Sequence, residues 1–258
     1  MDVIPTLPDG SVGACVTSPP YAMQRSGTYG GIPEKDYPDW TKSWMSALRP
    51  KLASDASVLI VIRPHVSKGE LSDYVLRTRL ALRDDGWIEC DEIIWVKPDA
   101  PPLGHAKRLR RCWESVLWFS RSRNPYMDQF ALGGTSVRAC GFAGSLRFGM
   151  SSSSPVHEGQ KPPGFGRTRG SDVVVAYVGN ISRGIMHPAM FPLLLSASLI
   201  ATFSRNDGLV LDPFCGSGTT CLVAKNMGRR WVGIESNESY VKIASSRLED
   251  APPSPFSS

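Results

Sequence analysis

The sequence predicts an α/β fold built on a mostly parallel sheet covered on both faces. Three observations lead there. Candidate strands alternate with candidate helices along 258 residues. The strands are continuous apolar runs, as expected when both faces of a strand are buried. Two unusual loops, Ser18-Pro19-Pro20-Tyr21 and Asp212-Pro213-Phe214-Cys215-Gly216-Ser217-Gly218-Thr219-Thr220, each end such a run. Both therefore fall at the C-terminal edge, where open parallel sheets bind ligands.

Residues 12–17 form the first apolar run and end at the rigid Pro-Pro turn. The stretch 24–38 is rich in Gly, Tyr and Ser and reads as a loop able to close over a ligand. Trp40, Trp44, Leu48 and Leu52 recur every four residues, predicting a helix over 40–52. Strands are expected at 58–62, 93–96 and 116–119, with a helix at 71–84. Residues 121–170 are the least patterned part; an irregular stretch of that length in a compact domain is usually functional or disordered. Order returns with a strand at 173–178 and a helix at 188–204. The unit 209–235 follows, then a helix at 238–247 and a Pro/Ser tail.

Charge is uneven. Thirteen Lys/Arg against five Asp/Glu between positions 97 and 183 give a local +8, and the remainder carries −3. A basic middle between near-neutral ends suggests a face for a polyanion, although a solvated surface would look the same. The six cysteines include no Cys-x-x-Cys pair, so neither a disulfide framework nor a zinc site is indicated. Cys15, Cys90 and Cys215 read as buried small hydrophobes. No apolar run is long enough to span a membrane, and the chain reads as cytoplasmic.

Strand, glycine turn, helix, strand and terminal acid make 209–235 a nucleotide-binding layout, with Gly228 placed to stop the helix. A P-loop is excluded because no Lys follows Gly218. A dinucleotide loop is disfavoured because Cys221 stands where its third glycine would fall. An adenosine ligand without a phosphate chain remains, its ribose diol facing Glu235, a two-oxygen acceptor. An ordinary βαβ turn without a ligand is the competing reading.

The Ser18–Tyr21 segment suits a planar group bearing an NH₂. Prolines 19 and 20 have fixed φ and no N–H, so the turn is stiff and its carbonyls are acceptors. Tyr21 can stack on the plane. The Ser18 hydroxyl and Pro19 carbonyl can accept the two amine hydrogens. Such acceptors favour a pyramidal nitrogen with its lone pair aimed out of the ring, and they stabilise developing positive charge. The rest is in-line positioning, which needs neither a metal nor a covalent intermediate.

The two motifs together resemble the DNA amino-methyltransferases, whose S-adenosylmethionine loop reads Asp-Pro-Phe-x-Gly-Ser-Gly-Thr-Thr. The catalytic motif precedes the cofactor loop, an order similar to the β group of these enzymes. The resemblance implies a circularly permuted, seven-stranded methyltransferase sheet with an irregular target-recognition insertion. It divides the chain into a catalytic part (1–98), a target-recognition region (99–172, with a returning core strand near 113–120), a cofactor-binding part (173–249) and a tail (250–258). Ser18, Pro19, Pro20 and Tyr21 would hold the target base. Asp212, Pro213, Phe214, Gly216, Ser217, Gly218, Thr219 and Glu235 would bind S-adenosylmethionine, with His187 and Pro188 packing over its methionine part.

Family members with Ser at the first motif position are mostly cytosine-N4 enzymes, and those with Asp or Asn mostly adenine-N6 enzymes. Ser18 thus implies site-specific methylation of cytosine N4, with adenine N6 the alternative and a non-catalytic DNA-binding protein the remoter one. C5 methylation is disfavoured because no cysteine follows a proline. The target base must be flipped out of double-stranded DNA. Lys107, Arg108, Arg110, Arg111, Arg138, Arg147, Arg167 and Arg169 are the candidate DNA contacts, and sequence does not separate base readers from phosphate clamps. The resemblance is compatible with a homodimer and with a cognate restriction endonuclease that makes no physical contact.

Overall fold

The computed structural model describes residues 2–23, 31–100, 108–132, 169–178 and 192–250. Its strands are β1 (Val12–Thr17), β2 (Leu52–Ile62), β3 (Val66–Ser67), β4 (Glu70–Leu71), β5 (Ile88–Val96), β6 (Trp113–Ser120), β7 (Val173–Val175), β8 (Leu209–Asp212) and β9 (Arg230–Gly233). The helices are α1 (Tyr37–Leu48), α2 (Tyr74–Asp84), α3 (Leu193–Phe203), α4 (Thr219–Asn226) and α5 (Glu238–Glu249). Seven strands make one sheet in the order β7-β5-β6-β2-β1-β8-β9, and β3 and β4 form a separate hairpin.

Every neighbouring pair in the large sheet is parallel except the two that involve β6, which is antiparallel to both β2 and β5. Because β6 is reversed, its first residues lie at the edge where its neighbours β2 and β5 end. Glu114 of β6 pairs with Trp95 near the end of β5, and Ser115 with Ile62 at the end of β2. The single antiparallel strand thus delivers its beginning, not its end, to the ligand-binding edge.

The period-2 alternation of a strand splits the core between two faces. Val58, Ile60 and Ile62 of β2 face α1 and α2, packing with Trp44, Met45, Leu48, Tyr74 and Leu82. Leu59 and Val61 face the other way, with Leu195, Leu199, Ile200 and Phe203 of α3 and Val223 and Ala224 of α4. Each such side chain, fully buried, contributes about 1.5–3 kcal/mol of transfer free energy. Among the described residues no helix is long and apolar enough to cross a membrane.

Several expected boundaries move. The helix expected at 40–52 spans Tyr37–Leu48, and Leu52 opens β2. The strand expected at 58–62 is the second half of an 11-residue strand. The helix expected from 71 starts at Tyr74 because Glu70 and Leu71 pair with Ser67 and Val66. The strands expected at 93–96 and 116–119 extend to Ile88–Val96 and Trp113–Ser120, and that at 173–178 shortens to Val173–Val175. The helix expected at 188–204 is Leu193–Phe203 where it is described. Cys15 is buried, but Cys90 and Cys215 are only half-buried. Cys90 sits at a register shift in β5, and Cys215 lies in the glycine loop rather than in a strand. Most of the irregular stretch, 133–168, lies outside the described residues.

Candidate active site

The glycine loop is shaped from within. Gly216 and Gly218 take φ of 52° and 80°, left-handed values that glycine adopts without a Cβ penalty. A Cβ on Gly218 would lie 2.8 Å from the Cβ of Ala244, so α5 closes tightly over the turn. Asp212 is buried, and its Oδ1 accepts hydrogen bonds from Thr17 Oγ1 (2.6 Å) and the Phe214 N–H (3.1 Å). Its carboxylate braces the loop. Burial pushes this carboxyl up to about 6, against the hydrogen bonds that favour its charged form. Phe214 packs beneath the loop against Trp40 and Trp44, with ring centroids 5.4 and 5.5 Å away. Ser217 is buried, and its carbonyl and hydroxyl accept from Arg247 of α5 at 2.5 and 3.0 Å. The same guanidinium reaches the Thr219 hydroxyl at 3.2 Å. Gly228, with φ 71°, ends α4 as the sequence predicts.

Glu235 follows the end of β9. Its Oε2 accepts from the Gly216 N–H at 2.9 Å and its Oε1 from the Asn237 N–H at 2.8 Å. Two backbone donors thus fix the carboxylate. A cleft of about 330 Å³ opens here, lined by Cys215, Gly218, Gly233 and Glu235 and by Val241 and Ala244 of α5. A glycine-lined cleft with a fixed two-oxygen acceptor at its rim matches the donor chemistry of an adenosine carrying a free ribose diol.

Ser18–Tyr21 leaves the end of β1, beside β8 in the sheet. The bond from Thr17 to Asp212 joins the residues immediately before the two motifs. Tyr21 is half-buried, and its hydroxyl donates to Glu114 Oε2 at 2.6 Å. Burial, and then the Glu114 charge, raise the phenol well above the usual tyrosine range, so it keeps its proton. Residues 24–30 lie outside the described residues, but the loop is tied on either side of them. The Met23 N–H donates to the Ile32 carbonyl at 2.9 Å, and Glu34 Oε1 lies 2.5 Å from His65 Nε2.

Of the candidate DNA contacts, Lys107, Arg138, Arg147 and Arg167 lie outside the described residues, as do His187 and Pro188. Arg108, Arg110 and Arg169 are exposed and Arg111 is half-buried. Arg110 donates to the Ala100 carbonyl at 3.0 Å and Arg111 to the Pro64 carbonyl at 2.5 Å, each keeping further N–H groups for other acceptors. Burial, followed by repulsion from Arg63, lowers the pKa of Arg111.

The sequence reading missed Thr17, Arg63, Glu114 and Arg247. Glu114 gave one signal, an acid inside the apolar run Trp113-Glu114-Ser115-Val116-Leu117.

A DNA methylase family model matches residues 12–246, nearly all of this architecture. The chain belongs to the N6/N4 DNA methylase family. It is a DNA methyltransferase, and S-adenosylmethionine is its methyl donor. It is 27% identical over 279 aligned residues to the type II methyltransferase M.PvuII of Proteus hauseri, covering 97% of this chain and 82% of that protein. It is also 27% identical to the type II methyltransferase M.ScaI of Streptomyces caespitosus, covering 96% and 79% respectively. Among solved structures, PvuII DNA methyltransferase (cytosine-N4-specific) superposes with a TM-score of 0.74 at 24% identity, over 97% of this chain and 84% of that one. The M1.HpyAVI–SAM complex superposes with a TM-score of 0.59 at 21% identity, over 92% and 89%. This methyltransferase therefore shares the fold of both, and its seven strands are those of the permuted sheet that the resemblance implied.

Proposed function

We propose that this DNA methyltransferase acts site-specifically on the exocyclic N4 amine of cytosine in duplex DNA. The observation that carries the reading is Ser18 at the head of Ser18-Pro19-Pro20-Tyr21, one residue beyond the Thr17–Asp212 bond and therefore beside the glycine loop. M.PvuII, similar to this chain over nearly its whole length, is named cytosine-N4-specific in its solved structure, which supports N4 over N6.

Each residue has a part in this reading. S-adenosylmethionine, when bound, supplies an electrophilic methyl group. Glu235 holds the ribose diol, and Gly216, Ser217, Gly218 and Thr219 form the floor of that site, with Asp212, Pro213 and Phe214 setting its shape. Tyr21 stacks on the flipped base, replacing its lost neighbours in the duplex. The Ser18 hydroxyl and Pro19 carbonyl accept the amine hydrogens and orient the nitrogen lone pair. Pro20 keeps the turn stiff. His187 and Pro188 cover the methionine part of the cofactor. Arg108, Arg110 and Arg111 contact DNA beside the pocket, with Lys107, Arg138, Arg147 and Arg167 extending that face along the 99–172 recognition region; Arg169, next to Gly170 whose N–H donates to the Gln129 carbonyl, lies away from the ligand-binding edge.

Product analysis tests the reading. Amplified, unmethylated DNA is treated with the protein and S-adenosylmethionine, digested to nucleosides and separated by mass. N4-methyl-2′-deoxycytidine is the expected product, and N6-methyl-2′-deoxyadenosine alone would overturn the choice of base. A folded sample that fails to bind S-adenosylmethionine at millimolar concentration would instead point to a DNA-binding protein without catalysis.

A further inference from the structure

Behind Tyr21 lies a buried ionic cluster to which the scheme above gives no part. Glu114 is 5% exposed. Its Oε2 accepts from the Tyr21 hydroxyl at 2.6 Å. Its Oε1 is ion-paired with Lys97 Nζ and lies 3.6 Å from Arg63 Nε. Lys97 is also buried, with Nζ 4.2 Å from the centre of the Trp95 ring. The members come from four places along one sheet edge: Tyr21 after β1, Arg63 after β2, Lys97 after β5, and Glu114 at the start of β6.

Fold stability is a poor account of this cluster. Desolvating an acid and an ammonium is costly, and well-packed apolar residues in place of a buried ion pair are often neutral or stabilising. What the cluster offers is placement. A carboxylate accepts hydrogen bonds and cannot donate them, so Tyr21 must give its one hydroxyl proton to Glu114. That bond pins the far end of the Tyr21 side chain and so fixes the plane that its ring presents.

We propose that Glu114 is a positioning residue that tethers the Tyr21 hydroxyl and so holds the Tyr21 ring in the plane in which it stacks on the target base. Lys97 and Arg63 hold Glu114 in place for this task. The inference rests on the reading that Ser18–Tyr21 binds the target base, and it is independent of which base that is.

The test uses the full chain, tritiated S-adenosylmethionine and amplified unmethylated DNA. Three variants are compared with the native protein: Glu114→Gln, Tyr21→Phe and the double variant. Glu114→Gln keeps the shape but allows an amide N–H to face the phenol, so the tether is no longer enforced. Each single change should lower kcat by about 10- to 100-fold, as a small misplacement at a reacting centre does, with KM for DNA little changed. The double variant should be no slower than the slower single one, because both changes break the same Tyr21–Glu114 bond. Cofactor affinity by calorimetry should stay within about twofold, since the cluster is remote from Glu235. Native kcat in Glu114→Gln overturns the proposal, as do losses that multiply in the double variant. So does a fall in cofactor affinity that parallels a fall in Tm, the mark of a purely structural role. If Glu114→Gln fails to fold, Tyr21→Phe decides: it keeps the ring and the ion pairs, and native kcat in it is equally fatal. Ser18→Ala separates the two levels of argument. An active Ser18→Ala sinks the base-pocket reading itself, whereas an impaired Ser18→Ala beside an unimpaired Glu114→Gln sinks only the role of Glu114.

Discussion

Thr17 Oγ1 donates a buried 2.6 Å hydrogen bond to Asp212 Oδ1 across 195 residues of chain. Thr17 is the last residue of β1 and Asp212 the last of β8, and the two strands are parallel neighbours. The next residue on one side is Ser18, and on the other Pro213. One bond therefore ties the start of the Ser18–Tyr21 turn to the start of the glycine loop. In a permuted chain these segments share no local connection, so their alignment depends on the sheet and on this contact.

Thr17→Val should expose the value of that bond. Valine fills the same volume but leaves Asp212 short of a donor in a buried place. The expected loss is about 1–3 kcal/mol of stability, read as a lower urea midpoint at unchanged m-value. Thr17→Ser, which restores the hydroxyl, should recover most of it. An unchanged midpoint for Thr17→Val would show that the contact holds no strain-free energy worth naming.

Asp212 also gives stability a pH dependence. Burial raises its carboxyl to about 6 in the folded chain. An ordinary aspartate in the unfolded chain titrates near about 3.9. Between roughly pH 4 and 6 the folded state therefore holds a proton that the unfolded state has released. Stability from this group falls as pH rises through that window and is regained as pH falls. The full swing is of order 3 kcal/mol. Other carboxylates titrate in the same range, so the informative quantity is the difference between the native protein and Asp212→Asn. Urea midpoints measured from pH 4 to 7 should converge at low pH and separate above it, with the native protein the one that weakens. The opposite slope in that difference would refute the assignment.

How far these features could be read from sequence depends on how local their causes are. The β8–α4–β9 unit was legible because its punctuation is local: Asp212-Pro213 ends the strand, Gly216 and Gly218 turn the chain, and Gly228 stops the helix. Ser18–Tyr21 was legible because two prolines leave little conformational choice. The first half of β2 was not. Ala53, Ser54, Asp55, Ala56 and Ser57 carry weak strand preference, and Ser57 is held there by pairing with Ala14 and Ser120. The start of β5 was hidden by its acids, yet Glu89 and Glu92 both pair with Arg79. The Glu114 cluster was beyond reach for a similar reason. Its members are scattered in sequence, and only the reversal of β6 brings Glu114 to the edge where Tyr21, Arg63 and Lys97 lie.

Gly218→Ala tests how closely α5 seals the glycine loop. At φ 80° any side chain is strained, and the new Cβ would stand 2.8 Å from Ala244 Cβ and 3.2 Å from its Cα. Backbone lies behind the contact, so α5 or the loop has to shift. Left-handed strain of about 1–2 kcal/mol and overpacking of about 1–3 kcal/mol should together lower Tm by several degrees. Gly218→Ala with Ala244→Gly relieves the clash but not the strain, so it should recover only part of the loss. Full recovery would mean that backbone conformation is unimportant at this turn.

Glu235→Gln and Ser18→Ala should fail in opposite ways. Glu235 accepts from the Gly216 and Asn237 N–H groups, and an amide there must aim a donor at one of them. On the proposed reading it also loses a charge-assisted acceptor for the ribose diol, worth about 1.5–3 kcal/mol. Cofactor affinity should fall about 10- to 100-fold, while turnover at saturating cofactor changes much less. Ser18→Ala removes the proposed acceptor for the amine and leaves the loop, Thr17 and Glu235 untouched. Turnover should fall by about 100-fold, the effect of losing one preorganised polar partner of a developing charge, with cofactor affinity nearly unchanged. Calorimetry with S-adenosylmethionine and initial rates on unmethylated DNA measure both quantities for both variants. If Ser18→Ala instead loses cofactor affinity, or Glu235→Gln loses turnover alone, the two loops have been given each other's work.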